Sequence, residues 1–252
     1  MSFATLRAKF GLSILGVVTT LLIWQAVAFA AGDAGTLPGP VATVIAAWKL
    51  LIGGYWRDLL ATSTRACVAL LLALVVGVPS GLVLGWSQRL YDSFRGVLSF
   101  LRCLPAYLLI VVFAAVGHGG ETARIATAAL ASAWIITDEC AESLRTLPSD
   151  RIDVLRALRA GNWFILSRAL FFEALGRTIV PSAKTAVGIC FVVTTVVEAL
   201  AIPPYGVGAR LLSFFAGAEL APVFGFLLLT GLAGVVLSAV VHGTARKIIF
   251  WS

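Results

Sequence analysis

Six apolar runs occupy most of this 252-residue chain, and each is close to the length that a helix needs to cross a lipid bilayer. A spanning helix takes about 20 mainly apolar residues, because each residue advances it by about 1.5 Å. The runs lie near residues 12–31, 60–86, 97–116, 122–142, 179–201 and 220–242. Only 12% of the residues are charged, compared with about 25% in soluble domains. We therefore predict an all-α, polytopic membrane protein with about six transmembrane helices.

The predicted helices form a single transmembrane domain over residues 1–252, in three parts. An N-terminal helix occupies residues 1–36. Its basic start and the Ala28–Ala30 end fit a cleaved secretion signal, but the apolar run is long enough to span, so we predict an uncleaved helix. Residues 37–57 are amphipathic, with aromatic Trp48, Tyr55 and Trp56, and are predicted to lie along the outer membrane face. The core covers residues 58–245.

The distribution of Lys and Arg predicts the orientation, because cytoplasmic loops keep the excess of these residues. With the N-terminus inside, the outer segments hold only Lys49, Arg57, Arg124 and Arg210. The inner segments hold Arg7, Lys9, Arg89, Arg95, Arg145, Arg151, Arg156, Arg159, Arg168, Arg177, Lys184, Arg246 and Lys247. Both termini are therefore predicted to be cytoplasmic.

Two of the apolar runs contain residues that interrupt a helix or allow two helices to pack closely. The segment VGVPSGLVLG near the end of the second run holds Pro79 and three glycines, which favour a kink or close helix packing. Pro105 lies within the third run, so that helix is predicted to bend or to begin anew there.

A cytoplasmic connection of unusual length, residues 143–178, carries a cationic amphipathic helix. Val154, Leu155 and Leu158 share one helical face, Arg156 and Arg159 flank it, and Asp153 lies opposite. Gly161 then interrupts the helix. Such an apolar ridge beside cations suits either anionic lipid headgroups or a groove on a partner protein.

Five segments lie along the chain in an order and spacing that are informative together. They are TSTRACVALLLALVVGVPSGLVLGWS at 62–87, LRCLPAYLLIVVFAAVGHGGETARI at 101–125, LRALRAG at 155–161, VVEAL at 196–200 and GVGARL at 206–211. They resemble the permease subunits of binding-protein-dependent ABC importers, of the taurine, aliphatic sulfonate and nitrate or bicarbonate type. The resemblance covers roughly residues 37–245.

This resemblance implies a type I ABC importer permease fold and a coupling helix at about residues 150–163, which would dock on an ATPase subunit. The implied coupling residues are Asp153, Val154, Leu155, Arg156, Ala157, Leu158, Arg159, Gly161 and Trp163. The loop is degenerate, because Leu155, Arg156 and Ala157 replace the family's Glu-Ala-Ala and its later Leu-Pro is missing near Glu173 and Ala174. Such a loop suggests a divergent ATPase or an assembly with a second, different permease.

Four residues are predicted candidates for the translocation path or a gate: Arg65, Arg102, Pro105 and Glu198. The two arginines lie in apolar runs, where a charge is costly and is typical of function. They suit an anion path, or else they extend to the nearest interface. Glu198 matches a glutamate of the family and is either a gate or inter-helix tether, or an acid exposed at the interface.

Catalytic chemistry and metal binding are not predicted. Asp138, Glu139 and Glu142 resemble paired catalytic carboxylates but are better interpreted as a polar hinge facing the arginines of the loop. His118 and His242 are isolated, and the four cysteines have no CxxC spacing. There is no GK[ST] phosphate-binding segment, so ATP and Mg²⁺ are expected only at partner ATPase subunits.

Together, the residues and the resemblance predict half of the translocation path of an ATP-driven importer for a small anion such as a sulfonate, taurine, nitrate or bicarbonate. The expected partners are two ATPase subunits, a second permease that is identical or different, an extracytoplasmic solute-binding protein and the bilayer of a bacterial plasma membrane. Alternatives are a permease-like scaffold that has lost coupling, and an ion-coupled carrier. The carrier would need acids near mid-membrane, whereas the acids here cluster at helix ends.

Overall fold

A computed structural model describes residues 3–32, 37–116, 119–145 and 180–248. Within these ranges the chain is almost entirely helical and contains no strand. The α-helices are α1 (Phe3–Ala30), α2 (Pro40–Leu50), α3 (Trp56–Trp86), α4 (Gln88–Cys103), α5 (Leu109–Ala115), α6 (Glu121–Arg145), α7 (Val180–Ala201), α8 (Val207–Ala216) and α9 (Leu220–Ile248). The predicted all-α class is therefore confirmed.

Helices of the length and apolar character needed to cross a membrane occur in three places in the described chain. They are Pro40–Trp86, Ser182–Ala201 and Leu220–Thr244, and the bent pair α4–α5 supplies a fourth if it is counted as one span. The described apolar part of α1, Ile14–Ala30, is shorter. Helix α6 carries more polar residues but is central to the fold, because its contact with α3 is the most extensive between any two elements.

Three glycines on one face of α3 allow this close contact with α6. Gly77, Gly81 and Gly85 recur every four residues, so they form a single stripe. A Cβ atom placed on Gly77 would lie only 2.9 Å from the Ala133 carbonyl oxygen, and one on Gly85 would lie 2.8 Å from the Ala141 carbonyl oxygen. The predicted close packing at these glycines is confirmed, and α3 continues as a helix through Pro79.

The third apolar run is not one straight helix. Helix α4 ends at Cys103, Leu104 and Pro105 break the hydrogen-bonding pattern, and a 3₁₀ turn at Ala106–Leu108 leads into α5. The axes of the two parts differ by 79°. The bend predicted at Pro105 is therefore present, but the predicted span 97–116 is wrong as a unit, since residues 97–103 belong to α4.

The predicted outer helix at 37–57 corresponds to α2 and the turn that joins it to α3. Pro40 is suited to the first position of α2, because its missing N–H would have no helical partner there. A π-helical turn, Leu51–Tyr55, follows, and Gly54 (φ 86°) produces a kink before α3. Helix α2 packs mainly on α9, where Gly225 faces the backbone of Ala46 and Ala47.

The bundle has two ends that organise the candidate sites. At the loop end, Arg145 closes α6 and Val180 opens α7, on either side of residues 146–179. At the opposite end, which we call the network end, α6 begins at Glu121 and α7 finishes at Ala201. The predicted coupling residues, Asp153 to Trp163, and His118 lie outside the described residues.

Candidate functional site: an ion-pair network around the α7–α8 turn

Three polar residues of α3 lie on one buried face near the network end. Asp58, Thr62 and Arg65 are separated by four and three residues, the spacing that places side chains on the same side of a helix. All three are buried. Because a buried charge is stable only when it is paired and hydrogen-bonded, the partners of these residues determine what the site can do.

The Arg65 guanidinium joins three elements. Its Nη1 donates to Glu198 Oε1 of α7 at 2.6 Å and to the Tyr205 carbonyl oxygen at 2.8 Å. Its Nε and Nη2 donate to the two carboxylate oxygens of Glu121, at the start of α6. The pairing with Glu121 is bidentate, a geometry that the planar fork of arginine favours.

Glu198 is completely buried, and each of its carboxylate oxygens accepts hydrogen bonds. Besides Arg65, the donors are the Thr62 hydroxyl (2.8 Å to Oε2) and the Gly208 backbone N–H (3.1 Å to Oε2). Of the two predicted alternatives for Glu198, exposure to water at the interface is therefore wrong. Its contacts are those of a tether between α3, α7 and α8.

The first turn of α8 receives its missing hydrogen-bond partners from other helices. The initial N–H groups of a helix have no partner within it and need acceptors from elsewhere. The Gly206 N–H donates to Asp58 Oδ1 (2.9 Å), the Val207 N–H donates to Thr62 Oγ1 (2.9 Å), and the Gly208 N–H donates to Glu198. The positive end of the α8 dipole also favours the two carboxylates.

Only glycine fits at position 206 in this arrangement. Gly206 has φ 155°. A Cβ there would lie 2.6 Å from Glu198 Cδ and 3.0 Å from Arg65 Nη1. The turn that ends α7 and begins α8 is therefore held directly against the buried ion pair.

The network is balanced in charge and reaches the surface on two sides. Asp58 also accepts from Arg210 Nε at 3.1 Å, and Glu121 accepts from Arg124 Nη1 at 2.9 Å. Three acids thus face three arginines. The Glu121 side chain is 52% exposed whereas Glu198 is fully enclosed, so of the two ion pairs that Arg65 makes, water and dissolved ions can reach the one with Glu121.

The structure brings two of the four predicted path residues into contact, and the other two lie outside the network. Arg65 and Glu198 form the centre of the network. Arg102 instead pairs with Asp138 of α6, and Pro105 lies in the break between α4 and α5. Arg65 itself is buried, with only 7% of its surface exposed.

Asp138, one of the three acids near the end of α6, has partners on α4. It receives hydrogen bonds from Arg102 and from the Tyr91 hydroxyl (3.3 Å). The loop arginines proposed as its partners lie outside the described residues. Among the described residues, no group of three His, Cys, Asp or Glu side chains is placed to hold a metal ion.

The sequence alone did not identify Asp58, Thr62, Glu121, Arg124 and Arg210 as members of the network. Each lies near the end of a helix, where a polar residue is ordinary and attracts no notice. The available indication was the spacing of Asp58, Thr62 and Arg65 on one helical face. Their partners are up to 152 residues away in the sequence, so no local pattern identifies them.

A second feature is a cleft of about 610 Å³ between α7 and α9, bounded in part by α8. Most of its lining is apolar, with Phe191 and Val192 on one wall and Leu227 and Val235 on the other. Its polar lining residues include Lys184, Thr195, Thr230 and Ser238. Lys184 is exposed and lies toward the loop end.

Comparisons with known proteins point to transporters. No family model matches the chain. The nitrate import permease protein NrtB of Synechocystis sp. is 22% identical over 238 residues, which cover 88% of this chain and 83% of the relative. The bicarbonate transport system permease protein CmpB of Synechococcus elongatus is 24% identical over 210 residues, 78% of this chain and 74% of the relative.

A solved structure has a similar fold. A chain of the inward-facing MetNI methionine ABC transporter superposes with a TM-score of 0.65 at 21% identity, covering 80% of this chain and 95% of that chain. The resemblance predicted from the sequence is therefore confirmed. This chain has the fold of an ABC importer permease and is similar in sequence to such permeases over most of its length.

Proposed function

We propose that this chain is the transmembrane subunit of an ATP-driven importer and forms half of the translocation path for a small anion. The main support is its similarity, over most of their length, to permeases named for nitrate and bicarbonate import. The second permease, identical or different, completes the path. A soluble binding protein delivers the solute to the outer face, and two ATPase subunits bind ATP and Mg²⁺ on the cytoplasmic face.

In this proposal the loop end faces the cytoplasm of a bacterial cell and the network end faces outward. The excess of Lys and Arg in the segments assigned to the inside supports this orientation. Both termini are then cytoplasmic. Residues 150–163, which lie between α6 and α7 in the sequence, dock on an ATPase subunit in this proposal, with Leu155 and Leu158 in the predicted apolar ridge.

The ion-pair network acts as an outer latch in this scheme. It joins α3, α6, α7 and α8, so any motion of α7 relative to α3 must break or carry along the Arg65–Glu198 pair. The pair is buried and well hydrogen-bonded, which favours movement of α3, α7 and the α7–α8 turn as one unit. The exposed Arg65–Glu121 contact is the weaker side of the latch, since water screens it.

The coupling proposal is tested by reconstituting the chain with its ATPase and binding protein in liposomes and measuring ATP-dependent uptake of nitrate and bicarbonate. A Leu155→Asp/Leu158→Asp variant should lose at least tenfold in uptake, because two acids replace the apolar ridge. The Leu155→Ile/Leu158→Ile control preserves the apolar ridge and should retain uptake. Unchanged uptake in the Asp variant would mean that the ridge does not couple.

The same preparation separates the importer from a non-coupling scaffold. An importer subunit supports ATP hydrolysis that rises when the loaded binding protein is added. A scaffold subunit would still assemble with the ATPase, but neither hydrolysis nor uptake would respond to the binding protein.

A further inference from the structure

Helix α4 has an apolar arc that is wider than the part covered by protein. With 100° between successive residues, its apolar side chains fall within one half of the helix. They are Leu90, Tyr91, Phe94, Val97, Leu98, Phe100 and Leu101. Tyr91 and Leu98, at one edge of this arc, are buried. Phe94, Val97 and Phe100 are about half exposed or more, at 46%, 50% and 63%.

Helix α4 is inclined to its neighbours α5 and α6. Its axis lies at 79° to that of α5. The contacts of α4 with α6 also indicate an inclined crossing. Arg145 donates to Gln88 at the start of α4, and Arg102 near its end donates to Asp138. These pairs are about 21 Å apart along α4 but only about 10 Å apart along α6, so α4 crosses α6 steeply. Relative to α6, which covers the predicted fourth span, α4 therefore lies closer to the plane of the bilayer than to its normal.

The level of α4 in the membrane follows from its contacts at the loop end. Arg145, the last residue of α6, donates to Gln88 and lies 4.1 Å from the centre of the Tyr91 ring. Trp86, the last residue of α3 and two positions before α4 begins, is half exposed, and tryptophan is typical of the boundary between lipid and water. Helix α4 is therefore placed at one bilayer interface.

The charges of α4 favour an anionic surface. The helix carries Arg89, Arg95 and Arg102 against one acid, Asp92. Arg102 is neutralised by Asp138, and Asp92 accepts from Gln88. Arg89 and Arg95 are exposed, have no acidic partner among the described residues, and flank the apolar arc on its two sides.

We propose that α4 is an interfacial anchor that binds anionic phospholipid, with Phe94, Val97 and Phe100 among the acyl chains and Arg89 and Arg95 on the headgroup phosphates. Its four charged residues exclude a spanning position for this segment. A wide apolar arc edged by arginines is the pattern of helices that lie in such an interface. The proposal depends on neither the transported solute nor the ATPase partner, so it stands or falls separately from the proposed function.

The test uses the full chain in liposomes of phosphatidylcholine with 30% phosphatidylglycerol, with a bimane fluorophore on Val97→Cys in a Cys103→Ser background. The Cys103→Ser protein alone measures labelling of the remaining cysteines. A matched probe on Ser99→Cys reports the polar side of the same helix. Spin-labelled phosphatidylglycerol and phosphatidylcholine, at equal amounts, quench from the lipid, and iodide quenches from water.

We expect lipid quenching at position 97, iodide quenching at position 99, and stronger quenching at 97 by phosphatidylglycerol than by phosphatidylcholine. Arg89→Gln/Arg95→Gln should remove most of that preference, since each arginine near an anionic surface contributes about fivefold in affinity. Lys49→Gln/Arg57→Gln, at the network end, should leave it unchanged. Iodide quenching at 97 would overturn the proposal. Protection at position 97 from both quenchers would also overturn it, because a protein partner would then cover the face. Lipid quenching at 97 without a preference for phosphatidylglycerol would overturn it as well.

Discussion

Arg65 shows why a charge inside an apolar run does not by itself reveal its role. Its position in the second apolar run was visible in the sequence, and so was that of Glu198 in the fifth. Their pairing was not, because the two residues are 133 positions apart and come together only through helix packing. Glu121 and Asp58 carry no distinguishing signal in the sequence, since acids near helix ends are common. At this scale, the sequence reveals which residues are costly to bury but not which partner offsets the cost.

Replacing Arg65 with lysine should destabilise the protein although the charge is kept. A single ammonium group cannot reach Glu198, Glu121 and the Tyr205 carbonyl in the arrangement of the guanidinium fork. Loss of charge-assisted hydrogen bonds at this buried site should cost about 1.5–3 kcal/mol. Thermal unfolding of the detergent-solubilised protein provides the measurement.

Arg57→Lys is the matched control for this variant. Arg57 lies on the same helix but is exposed and rests over the Trp56 ring. The Arg57→Lys protein should unfold at nearly the wild-type temperature. Equal unfolding temperatures for the Arg65 and Arg57 variants would show that the network does not stabilise the fold.

Individual helices were more predictable than individual contacts. Each apolar run is mainly helical, because a helix satisfies its backbone hydrogen bonds within the segment, and the third run is divided between two helices. Pro105 correctly indicated a break, but the 79° angle between α4 and α5 could not be read from the proline alone. Residues 97–103 were assigned to a span because apolar content alone does not distinguish a spanning segment from the apolar half of an interfacial helix.

The glycine stripe of α3 should tolerate no larger side chain. In Gly77→Val the new Cβ would meet the Ala133 carbonyl oxygen and Ile136 Cβ, each at 2.9 Å. Separating α3 from α6 should cost roughly 1–3 kcal/mol, as overpacking in protein interiors does. The measurement is the fraction of protein that stays monodisperse after heating.

Gly16→Val provides the comparison, because a Cβ on Gly16 has no neighbour within 4 Å. This change on α1 should have little effect. A Gly77 variant as resistant to heating as the Gly16 variant would contradict the interpretation of the stripe as a packing surface.

For the whole molecule, orientation is the feature that the fold leaves to experiment. The distribution of Lys and Arg predicts that the network end faces outward. A cysteine introduced at the exposed Glu219, between α8 and α9, should then react with a membrane-impermeant maleimide in intact cells. A cysteine at the exposed Gln88, at the loop end, should react only after the cells are opened. The reverse pattern would invert the topology.

The most direct test of the central claim is to purify this chain from its native membrane with a mild detergent and identify the co-purifying subunits by mass spectrometry. An importer permease should be recovered with an ATPase subunit in equal number to the permeases, and a second, different permease would identify a heteromeric path. Recovery of this chain repeatedly without any ATPase, from preparations in which other ABC transporters remain intact, would contradict the claim.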